Sequence, residues 1–162
     1  MPSIRVALVE DNHQFLAELC TLLAEVPFIE TVGSYTTGKA ALTGIVRTCP
    51  DVALIDLGLP DFSGIELIWS LAERRCSTEC LALTAYVDDA HLFAALEAGA
   101  VGYLVKDEAS LATLVQVIQE AKDGGAPVSL ASRGGCWAPS GHALSGPIPH
   151  TLQISPRVNE RY

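Results

Sequence analysis

A doubly wound (βα)5 fold, with a five-stranded parallel sheet in a three-layer sandwich, is predicted for residues 1–123. Two observations predict it. Short apolar, β-branched runs alternate with helix-length segments, the pattern of βαβ units. The runs also show little polar–apolar alternation, as expected of strands covered on both faces.

The strand-like runs are IRVALV (4–9), IETVGSY (29–35), VALI (52–55), CLALT (80–84) and GYLV (102–105). The helical segments are 12–25, 37–48, 64–75, 88–98 and 110–123. In the first, Phe15, Leu19, Leu22, Leu23 and Val26 form an apolar stripe, and Pro27 ends it. In the last, Ser110 is an N-cap and Leu111, Leu114, Val115, Ile118 and Ala121 share a face. Gly124-Gly125 then stops that helix.

Residues 124–162 have a different composition: 6 Gly, 5 Pro and 5 Ser in 39 residues, with no sustained period. A linker or disordered tail is expected there. Charge divides at the same place. Residues 1–123 carry 18 acidic and 7 basic side chains, and the tail carries one and three. An acidic body is a poor non-specific binder of nucleic acid.

No apolar run nears the ~20 residues of a membrane span. The N-terminus lacks a signal-peptide layout, so a cytoplasmic protein without membrane contact is expected. The five cysteines (Cys20, Cys49, Cys76, Cys80, Cys136) are an odd number. They are expected to be buried reduced thiols, and their spacing does not favour zinc.

Ligands of an open parallel sheet bind beyond the carboxyl ends of its strands. There the sequence places Glu10 and Asp11, Asp56, Thr84 and Lys106. If the first and third strands are neighbours, three carboxylates converge, facing a lysine and a hydroxyl. Clustered carboxylates require a proton or a cation, and Mg²⁺ suits them as a hard ion. Lys106 has a role if a second anion arrives, such as a phosphoryl group.

Four stretches in register, VEDN (9–12), DLGLPDFSG (56–64), LTAY (83–86) and AGAVGYLVKD (98–107), resemble the receiver domain of two-component response regulators. The resemblance covers residues 4 to about 123 and implies the flavodoxin-like, CheY-like fold. It implies Asp56 as acceptor of a phosphoryl group from a sensor histidine kinase or phosphotransfer protein. Glu10 (through water), Asp11, Asp56 and the Gly58 carbonyl would hold Mg²⁺ or Mn²⁺. Thr84 and Lys106 would take phosphoryl oxygens, and Tyr103 would be the switch aromatic beside Thr84. The only catalysis implied is of the domain's own phosphorylation and dephosphorylation. New charge-assisted hydrogen bonds are worth roughly 1.5–3 kcal/mol each. One bond made only in the active state shifts a two-state equilibrium about 10- to 100-fold.

Asp107 directly after the lysine resembles the NarL/FixJ (LuxR-type) group, which usually carries a C-terminal helix-turn-helix. GGAP (124–127) resembles the end of such a receiver, and ISPRVNERY (154–162) the opening of its DNA-binding domain. The chain stops before any recognition helix, so DNA contact is expected only through a part missing here. A homodimer on phosphorylation is expected. One rival is a stand-alone receiver that relays phosphoryl groups or binds a protein target. Another is an aspartate-nucleophile phosphatase, disfavoured because Gly58 stands where such enzymes usually carry a second Asp.

Overall fold

A computed structural model describes residues 2–85 and 89–124. Five strands form one parallel sheet: β1 (Ile4–Val9), β2 (Ile29–Tyr35), β3 (Val52–Asp56), β4 (Glu79–Thr84) and β5 (Gly102–Val105). Their order is β2-β1-β3-β4-β5. The helices are α1 (His13–Ala24), α2 (Gly38–Thr48), α3 (Gly64–Glu73), α4 (Asp89–Ala98) and α5 (Leu111–Lys122), with a 3-10 turn at Lys106–Glu108. The doubly wound reading is thus correct, and β1 does lie beside β3.

Side chains alternate across the sheet and feed two separate cores. Ala7, Ala53, Cys80, Ala82 and Tyr103 face α2, α3 and α4. Leu8, Leu54, Leu81, Leu83 and Leu104 face α1 and α5. The strands inside the sheet are buried almost throughout, but β2 is an edge strand and partly exposed. A register shift opposite Val6 and Ala7 interrupts its pairing with β1. Such a bulge blunts an edge against further strand pairing.

The helix stripes are rotated slightly from expectation. Leu16, Leu19 and Leu23 are buried in α1, whereas Phe15 and Leu22 are only partly so. In α5, Thr113 and Val117 are buried, and Leu111 and Val115 lie at the margin. Helical side chains lean toward the N-terminus, so the covered surface lies off the simple wheel position. Gly124 ends α5 with φ +85°; the expected tail from residue 125 on lies outside the described residues, as does Cys136. The expectation of buried thiols is corrected for Cys49, which is exposed as the left-handed C-cap of α2. Cys20 and Cys76 are partly buried, and Cys80 is fully enclosed.

The loop after β3 is fastened to its neighbour at two points. The Asp61 carboxylate accepts hydrogen bonds from the Gly38 and Lys39 amides, each 2.8 Å. It thereby satisfies two orphan donors at the N-terminus of α2, while Thr37 takes the amide of Ala40. The ring of Phe62 covers Gly38 so closely that a Cβ there would meet it at 2.8 Å. Partial burial opposes ionisation of Asp61, but the Gly38 and Lys39 amides outweigh it and hold the carboxyl below its ordinary 3.8.

A depressed carboxylate pKa stabilises the fold above the unfolded value and ceases to do so as pH falls. Asp61→Ala is therefore expected to cost about 1 kcal/mol at pH 7. In urea titrations this difference should shrink once pH drops below 3.8 and close as Asp61 itself protonates.

Candidate functional site

The β2-β1-β3 order brings the loops after β1 and β3 together at the carboxyl edge. The Glu10 amide donates to the Tyr35 carbonyl at 2.9 Å and so prolongs the β1–β2 ladder by one residue. This turns the Glu10 side chain inward, where it is 0 % exposed. Asp11 is exposed beside it, and Asn12 caps α1 through the amide of Phe15 at 3.0 Å. Asp56, the last residue of β3, is 6 % exposed and accepts the Gly58 amide at 3.1 Å.

Gly64 makes this loop possible. A Cβ there would lie 2.2 Å from the Asp56 carbonyl oxygen, so α3 begins directly against the strand end. Its amide donates to the Leu57 carbonyl at 3.0 Å, and Ser63 caps the helix.

Carboxylate oxygens of Glu10, Asp11 and Asp56 lie within 4.8 Å of one another. Lys106 follows β5 and reaches across to them: its Nζ is 2.5 Å from Glu10 Oε1 and 3.4 Å from Asp56 Oδ2. Thr84 ends β4, half-buried at the same edge, with Val105 as its register partner on β5.

Protonation divides the carboxylates. Burial pushes Glu10 up to about 8, and Asp56 adds to this while Lys106 opposes it. Asp11 is raised too, by burial and then by Asp56. Burial also works against ionised Asp56, but Glu10, the Gly58 amide, Asp11 and Lys106 together hold its carboxyl below the usual value. Burial disfavours the charge on Lys106, yet Glu10 and Asp56 outweigh it and raise the lysine. Among these coupled groups burial thus favours the protonated form of Glu10, while the hydrogen bonds around Asp56 favour its ionised form.

The donor set fits a hard divalent cation: three carboxylates of which one, Glu10, has a buried oxygen (Oε2) without a hydrogen-bond partner among the described residues. At Gly58 the recorded contact is through its amide, not its carbonyl.

Tyr103 is 2 % exposed and lies inward among the α3 and α4 side chains. Its register neighbour on β4 is Ala82, whose small side chain leaves space for the ring. The Tyr103 hydroxyl has no hydrogen-bond partner among the described residues.

Two contributors were not legible as site residues. Phe15 places its ring centroid 5.3 Å from Lys106 Nζ. Asp61 holds the loop after β3 on α2. The signals existed, an Asn cap three residues before Phe15 and an Asp within a turn. Neither says which element lies across from it.

A five-stranded parallel sheet in this order, with an acidic pocket and a lysine at its carboxyl edge, defines a CheY-like receiver fold. The family model described as "Response regulator receiver domain" matches residues 6–119. The chain belongs to the response regulator receiver family. It is similar to the DNA-binding transcriptional activator DevR/DosR of Mycobacterium tuberculosis, 36% identical over 127 residues, 78% of this chain and 57% of that protein. It is also similar to the transcriptional regulatory protein LiaR of Bacillus subtilis, 28% identical over 147 residues, 91% of this chain and 69% of that protein. Among solved structures, the signal receiver domain of the putative response regulator NarL from Mycobacterium tuberculosis superposes with TM-score 0.74 at 27% identity. That match covers 76% of this chain and 99% of the other. A LuxR-family two-component response regulator from Aurantimonas sp. SI85-9A1 gives 0.73 at 27% identity, covering 81% and 91%. The relatives are thus regulators of the NarL/LuxR type, and phosphorylation on an aspartate is general for this family. The chain spans 57% and 49% of the lengths of DevR/DosR and the Bacillus subtilis regulator YhcZ. No helix among the described residues is long and apolar enough to cross a membrane.

Proposed function

We propose that Asp56 is the phosphoryl acceptor of a two-component response regulator. The observation that carries this is geometric: Asp56 closes β3 at the carboxyl edge, its carboxylate oxygens lie within 4.8 Å of those of Glu10 and Asp11, and the Lys106 ammonium stands 3.4 Å from its Oδ2. An ionised Asp56 oxygen attacks the phosphorus of a phosphohistidine on a sensor histidine kinase or phosphotransfer protein. The P–N bond breaks, and its electron pair stays on the donor ring, which takes up a proton. Such a transfer depends on in-line positioning and charge stabilisation.

Lys106 holds one phosphoryl oxygen and Thr84 donates its hydroxyl to another. Glu10, Asp11, Asp56 and the Gly58 carbonyl would hold Mg²⁺ or Mn²⁺, Glu10 through water. The ion supplies charge neutralisation for the entering phosphoryl group.

Thr84 drawn to the phosphoryl group fixes Tyr103 in its inward position and alters the surface of α4, β5 and α5. The domain is a switch rather than an enzyme with a foreign substrate, and it works in the cytoplasm. Residues 1–123 form the receiver and 124–162 a linker or tail, and contact with DNA does not fall to the receiver.

Incubation with a small-molecule acyl phosphate and Mg²⁺ should add one phosphoryl group, detected by intact mass. Asp56→Asn should abolish it; labelling that persists in this variant excludes Asp56. Phosphorylation should also promote a homodimer. Sedimentation with an acyl-phosphate mimic checks this, and a monomer at every concentration tested would rule it out.

A further inference from the structure

The ring of Phe15 lies 5.3 Å from the Lys106 ammonium, within the ~6 Å over which an aromatic face attracts a cation. The ammonium has three donors and no acceptor. Glu10 Oε1 engages one of them at 2.5 Å. Asp56 Oδ2 stands at 3.4 Å, too far for a strong hydrogen bond. A polar side chain in place of Phe15 would use a further donor. An aromatic face attracts the charge and uses none.

The ring is itself held in place. The Phe15 amide donates to Asn12 Oδ1 at 3.0 Å, which ties the first turn of α1 to the residue following Asp11. The side chain is partly buried against the α1–α5 core. Lys106 thus rests against the ring on one side and donates to Glu10 Oε1 on the other.

We infer that Phe15 is a positioning residue for Lys106: its ring holds the ammonium at the pocket while leaving donors free for the phosphoryl group. The inference rests on Asp56 being the acceptor. It separates an electrostatic role of residue 15 from simple packing, because leucine would fill much the same space without the ring's charge distribution.

The test compares the full chain with Phe15→Leu and Phe15→Tyr, using a small acyl phosphate and Mg²⁺. Labelling should be about three- to tenfold slower in Phe15→Leu and within about twofold of the parent in Phe15→Tyr, given the strength of such contacts. The ring-current shift of the Lys106 ε-methylene protons, read by NMR without phosphorylation, should vanish in Phe15→Leu and persist in Phe15→Tyr. Parent-like labelling by Phe15→Leu overturns the inference, as does an equal loss in both variants. If the parent takes no label, or Asp56→Asn still does, the acceptor reading fails instead. The NMR shift then still decides whether the ring holds the lysine, and its absence in the parent overturns that too.

Discussion

Lys106→Ala will slow labelling of Asp56 about a hundredfold, the scale on which enzymes lose rate when one preorganised donor to a developing oxyanion is removed. The same change will destabilise the fold. Glu10 is 0 % exposed, and its Oε2 already has no hydrogen-bond partner among the described residues. Without the ammonium, its Oε1 loses the partner at 2.5 Å. Removing one member of a fully buried pair costs about 3–5 kcal/mol. Here Lys106 is 21% exposed, and Glu10 can relieve its own charge by taking a proton, so about 1–3 kcal/mol is expected. Adding Glu10→Gln to Lys106→Ala should recover much of that stability without recovering labelling. Urea unfolding of the four combinations measures the coupling. A single variant as stable as the parent would show that the pair does not support the fold.

Gly64→Ala tests the other wall of the pocket. Alanine in place of glycine in a helix ordinarily stabilises by about 1 kcal/mol. Here the opposite sign is expected, with a loss of about 3 kcal/mol, because the new methyl meets backbone. The Cβ would lie 2.2 Å from the Asp56 carbonyl oxygen and 2.8 Å from Leu57 Cα. Neither atom can rotate away. Either α3 retreats or the end of β3 shifts, and both displace the Asp56 carboxylate. Thermal unfolding and labelling should therefore fall together. A stable variant that labels normally would mean that the α3 start is not tied to the acceptor strand.

The strands were legible because burial on both faces leaves few polar residues in them. IRVALV and GYLV match β1 and β5 end to end, and VALI misses only Asp56 at the tip of β3. IETVGSY matches β2 as well, although its exposed Glu30 and Thr31 mark an edge rather than a covered strand. Helix ends followed from local chemistry, as with Ser110 capping α5 through the Thr113 amide. The convergence of Glu10, Asp11 and Asp56 followed once β1 and β3 were taken as neighbours, since each residue closes or follows its strand. Contacts between elements were hidden. That Asp61 serves α2 rather than its own helix depends on how two loops pass each other. Phe15 lies 91 positions from Lys106 in the chain, and no local pattern pairs them. Cys49 looked like a buried thiol because it adjoins a helix-length segment, but as the left-handed cap of that helix it is exposed.

The unequal faces of the sheet govern how this protein can drift under mutation. On the α2–α4 side Ala7, Ala53 and Cys80 stand in register across three strands, and Ala82 stands beside Tyr103. On the α1–α5 side Leu8, Leu54 and Leu81 form a matching row, with Leu83 beside Leu104. The leucine side is injured by loss of volume, about 2–5 kcal/mol for a leucine cut to alanine. The alanine side is injured by gain, about 1–3 kcal/mol for added methylenes. A lineage can therefore change bulk on either face only with compensating changes inside that same core. At Ala82 one added methyl group would be enough to press on Tyr103, so inherited variation at this plain position would reset the aromatic ring without touching any charged residue.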